Sequence, residues 1–163
     1  MELYSPISEK IKGIILERLA NEYEAHFFYR NASNWCENIG YTKAAKFYEK
    51  EAQDELEHAN MLQVFLNDWG VAYTIPSVSV TPKFNGLPDT IYKSYGIEVA
   101  LYENYDSNAK EVMGIDSSTY KQLMKMVNIQ YKSVAEYRTL VDKLALIVED
   151  DKFQVFMFEK EVF

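Results

Sequence analysis

The sequence is poor in the residues that interrupt or staple a chain: 163 residues include one cysteine, four prolines and six glycines. The single Cys36 excludes an internal disulfide and a cysteine-rich metal cage, so a bound metal would need carboxylate, imidazole or amide ligands. Positive charge is also scarce. Seventeen basic residues stand against 25 acidic ones, a formal net charge of −8. That balance argues against nucleic acid and anionic membranes as partners and favours cations. No apolar run approaches the roughly 20 residues that span a bilayer, and Met1 to Pro6 lacks a basic stretch leading into an apolar one. A cytoplasmic protein is expected. A hydrophobic fraction of 48%, with 13 Tyr and 9 Phe, excludes a disordered chain, and the length predicts a single domain over residues 1–163.

Three of the prolines, Pro76, Pro82 and Pro88, share one stretch, which leaves long uninterrupted segments on either side. The pattern predicts an all-α chain. Helix one runs from an N-cap at Ser8 to about Asn38, and helix two from a cap at Thr42 to about Trp69. Helix three follows a cap at Asp89 and reaches Met113; helix four follows Ser117 or Ser118 and reaches Val148; Asp150-Asp151 opens a short fifth helix ending near Val162. Links of about four residues make helices one and two, and three and four, antiparallel hairpins. The roughly 18 residues between the hairpins can travel the whole bundle length, making helices two and three parallel. Four long helices with one such crossover match a ferritin-like arrangement better than a simple up-down-up-down bundle, here with an added C-terminal helix.

Polar residues interrupt the apolar stripes at similar depths. In helix four the repeat Leu123, Val127, Gln130, Val134, Tyr137 is broken by Gln130, and in helix two Tyr48, Ala52, Glu55, Ala59, Leu62 is broken by Glu55. Glu22 sits on the stripe of helix one with Leu19, His26 and Tyr29, while helix three carries Val99, Glu103 and Asp106 on a more ambiguous stripe. Counted from the hairpins, Glu22, Glu55, Glu103 and Gln130 agree in depth within about 8 Å at 1.5 Å per residue. Carboxylates buried alone lose several kcal/mol of solvation, so their convergence calls for cations or protons. His58 follows Glu55 by three positions, giving a Glu-x-x-His pair on one helix face, the ligand pair of di-iron bundles. A solitary pair of this kind is ordinarily a solvated face; here the glutamate lies on an apolar stripe with partners at its own depth. Tyr29, two turns after Glu22, is placed to hydrogen-bond a site carboxylate. His26 reads as an ordinary hydrogen-bonded histidine, and Glu9, Glu49 and Glu149 as solvated charges.

Together these residues resemble a ferritin, and more closely a bacterial non-haem ferritin. The resemblance is carried by Asn21-Glu22-Tyr23 with Tyr29, Asn34-Trp35-Cys36, Glu51 to His58, Glu103, and Gln130 followed by Leu140 to Leu144, and it covers about residues 8–163. It implies a ferroxidase centre in which Glu22, Glu55 and His58 bind a first iron, Glu55 bridges, Glu103 and Gln130 bind a second, and Tyr29 lies beside it. Iron would be held transiently, oxidised from Fe(II) to Fe(III) by O2 or H2O2 and stored as ferric oxyhydroxide. The resemblance further implies a homo-oligomer of 24 subunits, with the fifth helix at four-fold axes and Glu159 and Glu161 facing like charges or solvent.

Departures narrow these expectations. Some bacterial ferritins build a third iron site from glutamates around the helix-four glutamine, where this chain has Ile129, Lys132 and Ser133. About two irons per chain are therefore expected, with Asp54 and Glu57 either collecting Fe(III) for nucleation or serving as solvated charges. Leu56 replaces the methionine of bacterioferritins and helix four lacks a second Glu-x-x-His, so no haem is expected. Two alternatives share the fold: a catalytically weak structural cage subunit, and a DNA-protecting mini-ferritin. The second is disfavoured by the acidic charge, the lack of a basic tail and the fifth helix.

Overall fold

The computed structural model describes Met1 and residues 3–163, and its regular structure is five helices: α1 (Glu9–Ile39), α2 (Thr42–Asp68), α3 (Leu87–Val112), α4 (Ser117–Leu144) and α5 (Lys152–Val162). Ser8 caps α1 by accepting from the Ile11 N–H at 3.2 Å. The helix stops at Gly40, whose φ of 91° lies in the left-handed region that glycine enters without Cβ strain. The Tyr41 N–H then bonds the Cys36 carbonyl at 2.9 Å and turns the chain directly into α2.

Several helix ends differ from the sequence expectation because tertiary or neighbouring groups supply the caps. Thr42 is the first residue of α2 rather than its cap, and no side chain caps from Tyr41. Instead the Glu159 carboxylate on α5 accepts from Lys43 N at 2.6 Å and Ala44 N at 3.0 Å. Glu159 is therefore buried at a helix N-terminus, which corrects its expected exposure to like charge or solvent. Asp89 lies inside the first turn of α3 and accepts from Asn85 N at 2.9 Å. Asp116, one residue before Ser117, caps α4 through the Thr119 N–H at 2.7 Å. The α4 helix ends at Leu144, four residues short of Val148, and Asp151 caps α5.

Helix α1 lies along α2 and α3 along α4; contacts of α1 with α3 and of α2 with α4 close the bundle. The crossover carries no regular structure over residues 71–84, yet close to every second residue is partly buried against the bundle. Val71 and Tyr73 pack on one apolar cluster and Val80 and Phe84 on the other, so the segment travels the bundle length and α3 starts parallel to α2. The core is split. One cluster, around Cys36, Tyr48, Ile91 and Leu144, adjoins the α1–α2 hairpin; the other is built around Ile15, Leu19, Leu66 and Leu123. A polar layer separates them. Among the described residues no helix is long and apolar enough to cross a membrane.

Candidate metal centre

Every helix of the four-helix bundle contributes to that layer. Glu22 (α1), Glu98 (α3) and Gln130 (α4) are fully buried, Glu55 (α2) is 2% exposed and His58 (α2) 9%. Glu22, Glu55 and His58 each offer a ligand atom, and these atoms lie within 4.8 Å of one another. His58 Nδ1 is 3.1 Å from Glu55 Oε2 and 3.6 Å from Glu22 Oε2. The three-residue spacing within α2 aims both of its ligands inward, as one helical turn requires.

Tyrosines support the layer crosswise. Tyr29 on α1 donates to Glu98 on α3, and Tyr105 on α3 donates to Glu22 on α1; all four residues are fully buried. Each tyrosine follows the glutamate of its own helix by seven positions, two turns along the same face. The centre is thus a pseudo-two-fold arrangement of two Glu-x6-Tyr helices. The other two helices contribute Glu55-x-x-His58 and Gln130, so one half carries carboxylate and imidazole where the other carries an amide.

This pairing corrects the assignment on α3. Glu103 is exposed, whereas Glu98 is buried in the layer. The two residues differ by five positions, about 140° of rotation at 3.6 residues per turn, so they cannot share a face. The stripe that faces the core is Ile91, Ser94, Glu98, Leu101, Tyr105, Ala109, and the Glu-x6-Tyr interval shared by α1 and α3 is the sequence signal that could have identified it. The structure gathers Glu22, Tyr29, Glu55, His58 and Gln130 as a single layer. Outside it, His26 donates from Nδ1 to the Ala52 carbonyl at 2.6 Å. Asp54 is half-exposed and paired with Lys50 at 3.0 Å, and Glu57 is exposed.

Electrostatically the metal-free layer is under-compensated. Burial, then the charge of Glu22, raises Glu55 well above the usual carboxylate range. Burial raises Glu98 to about 8 even though the Tyr29 hydroxyl stabilises its anion. Both atoms of the Gln130 amide, Glu22 Oε2 and Glu98 Oε2 are buried with no hydrogen-bond partner. Buried polar groups are almost always paired, so this concentration of unpaired atoms fits a set of cation ligands. Carboxylate-rich donors with one imidazole suit iron in both oxidation states and hold Fe(III) more strongly.

Comparison with known proteins gives a consistent result. Residues 13–147 match the family described as ferritin-like domain. A protein of Haemophilus influenzae described as a probable bacterial non-heme ferritin-like protein is 24% identical, the alignment covering 96% of this chain and 95% of that protein. The bacterial non-heme ferritin of Campylobacter jejuni is 26% identical over 88% of this chain and 87% of its own. The crystal structure of an open pore ferritin from Archaeoglobus fulgidus superposes with a TM-score of 0.87 at 21% identity, covering 96% of this chain and 97% of that one. The last likeness is one of fold.

Proposed function

The chain belongs to the ferritin family, and from that premise we propose that it is an iron-storage ferritin whose polar layer is a ferroxidase centre. Fe(II) is its substrate. Glu22, Glu55 and His58 hold a first ion; Glu98 and Gln130 hold a second; Glu55, lying between the helices that supply both sets, bridges them. Two Fe(II) ions each yield one electron, and O2 takes both with two protons to leave as H2O2; peroxide itself is the alternative oxidant. The observation that carries this reading is the meeting of buried ligand groups from four helices at one level of the bundle, with atoms of Glu22, Glu98 and Gln130 left without a hydrogen-bond partner.

The asymmetry of the two halves favours transit over permanent retention. The first position has two carboxylates and an imidazole, whereas the second has the Gln130 amide, a poorer donor, in place of the imidazole. A weaker hold on Fe(III) there lets product leave toward a mineral. No haem enters this reading, and storage takes place in a cage of identical subunits. The direct test is aerobic addition of Fe(II) to the purified protein, with Fe(III) formation followed by absorbance. Oxidation well above the protein-free rate is expected. A rate equal to the protein-free control would overturn the ferroxidase reading and leave a structural cage subunit in its place.

A further inference from the structure

A surface cavity that the di-metal centre leaves unused lies between α1, α3 and the end of the crossover. Its volume is about 500 Å3, within the range of small-molecule sites, which form between the helices of bundles among other places. Phe28 on α1, Ile97 and Leu101 on α3, and Val80 and Pro82 on the crossover supply its apolar lining. Phe28 and Leu101 are buried in the core and the other three are half-buried, so the floor is part of the packed bundle. The crossover wall is tied down as well. The Lys93 ammonium on α3 donates to the Lys83 carbonyl at 2.6 Å and to the Asp89 carboxylate at 2.7 Å, and Phe84 rests against Phe28 with ring centroids 5.4 Å apart. The space is therefore preformed, and an occupant does not have to order its walls.

Two polar groups of the lining are left uncommitted. Asn21 donates from Nδ2 to Glu24 at 3.1 Å, which engages that carboxylate, while its own Oδ1 is buried with no hydrogen-bond partner. A buried acceptor of this kind calls for an N–H or O–H from whatever fills the cavity. On the crossover side, Lys83 is exposed and its ammonium makes no ion pair among the described residues, whereas neighbouring Lys93 is paired with Asp89. Phe28 gives the floor an aromatic ring, and aromatic pairs gain beyond the area they bury.

We propose that this cavity binds a small aromatic anion: its ring lies on Phe28, Ile97 and Leu101, a hydroxyl or N–H donates to Asn21 Oδ1, and a carboxylate or similar group meets the Lys83 ammonium. The site stands apart from the ferroxidase reading. None of its residues is a ligand of the di-metal centre; Glu22 and Glu98, next to Asn21 and Ile97 in the chain, belong to the inner layer.

The probe is a hydroxynaphthoate with its hydroxyl and carboxylate on opposite rings, titrated by calorimetry into the metal-free, full-length protein, with uncharged naphthol as its companion. About one equivalent of hydroxynaphthoate per chain is expected. Lys83→Glu should weaken hydroxynaphthoate by about ten-fold and naphthol by less than about two-fold, because only the anion uses the ammonium. Ala100 lines the cavity from an exposed position, and Ala100→Phe should weaken both compounds by at least about ten-fold by filling the space. Both changes are at exposed positions and are expected to keep the parent circular dichroism spectrum, and the Lys83 comparison stands without the larger substitution. Absence of saturable binding to the parent protein would overturn the site. So would binding that neither substitution weakens, which would seat the probe on the exposed apolar face of α5, and equal weakening of acid and naphthol by Lys83→Glu would overturn the anion assignment.

Discussion

At the scale of single residues, the centre is defined by which glutamate of α3 turns inward. Glu98 is buried and bonded by Tyr29, and Glu103 is exposed. Glu98→Ala is therefore expected to slow rapid Fe(II) oxidation by at least about 100-fold, and Glu103→Ala to leave it within about two-fold. Stopped-flow oxidation of the two variants decides it, and the reverse order would restore Glu103. Glu22, Glu55 and Gln130 were legible in the sequence because each interrupts an otherwise apolar stripe. Glu98 was not, because its stripe also holds Ser94 and Tyr105 and looks no more apolar than the neighbouring one through Val99 and Glu103. The seven-residue interval shared by Glu22-Tyr29 and Glu98-Tyr105 is an internal repeat that distinguishes the two faces.

The same residues set a pH dependence. Glu98 and Glu51 titrate near 8 and 7 in the folded chain, against 4.5 for an ordinary glutamate. Between about pH 4.5 and 8 the folded chain therefore holds protons that the unfolded chain has released. Stability of the metal-free protein must fall as pH rises through that window. Thermal unfolding followed by circular dichroism should give a lower midpoint at about pH 8.5 than at about pH 5.5, and saturating Mn(II) should reduce the difference by replacing the lost protons. A midpoint that climbs across the window without metal would contradict the charge balance described for the layer.

At the scale of elements, helix identity was more legible than helix ends. Five helices and the crossover follow from proline placement and the apolar repeats, because these signals are local. The start of α2 is set by a residue over a hundred positions away: the Glu159 carboxylate accepts from the Lys43 and Ala44 N–H groups. No window of sequence around Thr42 contains that information. The contact joins a negative charge to the positive end of the α2 dipole and satisfies two unpaired N–H groups, while Val155 and Phe158 fill the adjacent core. Glu159→Ala is expected to destabilise the protein by about 1–2 kcal/mol, the scale of a lost N-cap, and Glu159→Gln by less, because the amide oxygen still accepts. Denaturant melts of both variants measure this. Equal stability of all three proteins would show that α5 is held by its apolar contacts alone.

At the scale of the whole molecule, α5 has two faces with different destinations. Val155 and Phe158 are each 5% exposed, and Phe163 lies 5.0 Å from Phe47, so one face is sealed against the bundle end. On the other, Phe153 is 71% exposed, Phe156 44%, Met157 36% and the preceding Leu146 82%. Such a contiguous apolar patch on an isolated chain favours association, and a closed symmetric assembly buries it without open-ended growth. The proposed storage role requires that closure, since a mineral needs an enclosed volume. A 24-subunit cage in which copies of α5 meet around four-fold axes satisfies both demands. Light scattering at neutral pH is expected to give a particle of about 24 chains, and Phe153→Glu together with Phe156→Glu to give smaller species with the helical content and the fast phase of Fe(II) oxidation retained. That separation follows from the geometry, because the polar layer lies at mid-bundle and takes all its buried groups from within one chain. A stable monomer, or a twelve-subunit shell, from the parent protein would refute the assembly. An unchanged particle size in the double variant would place the cage contacts elsewhere than on this face of α5.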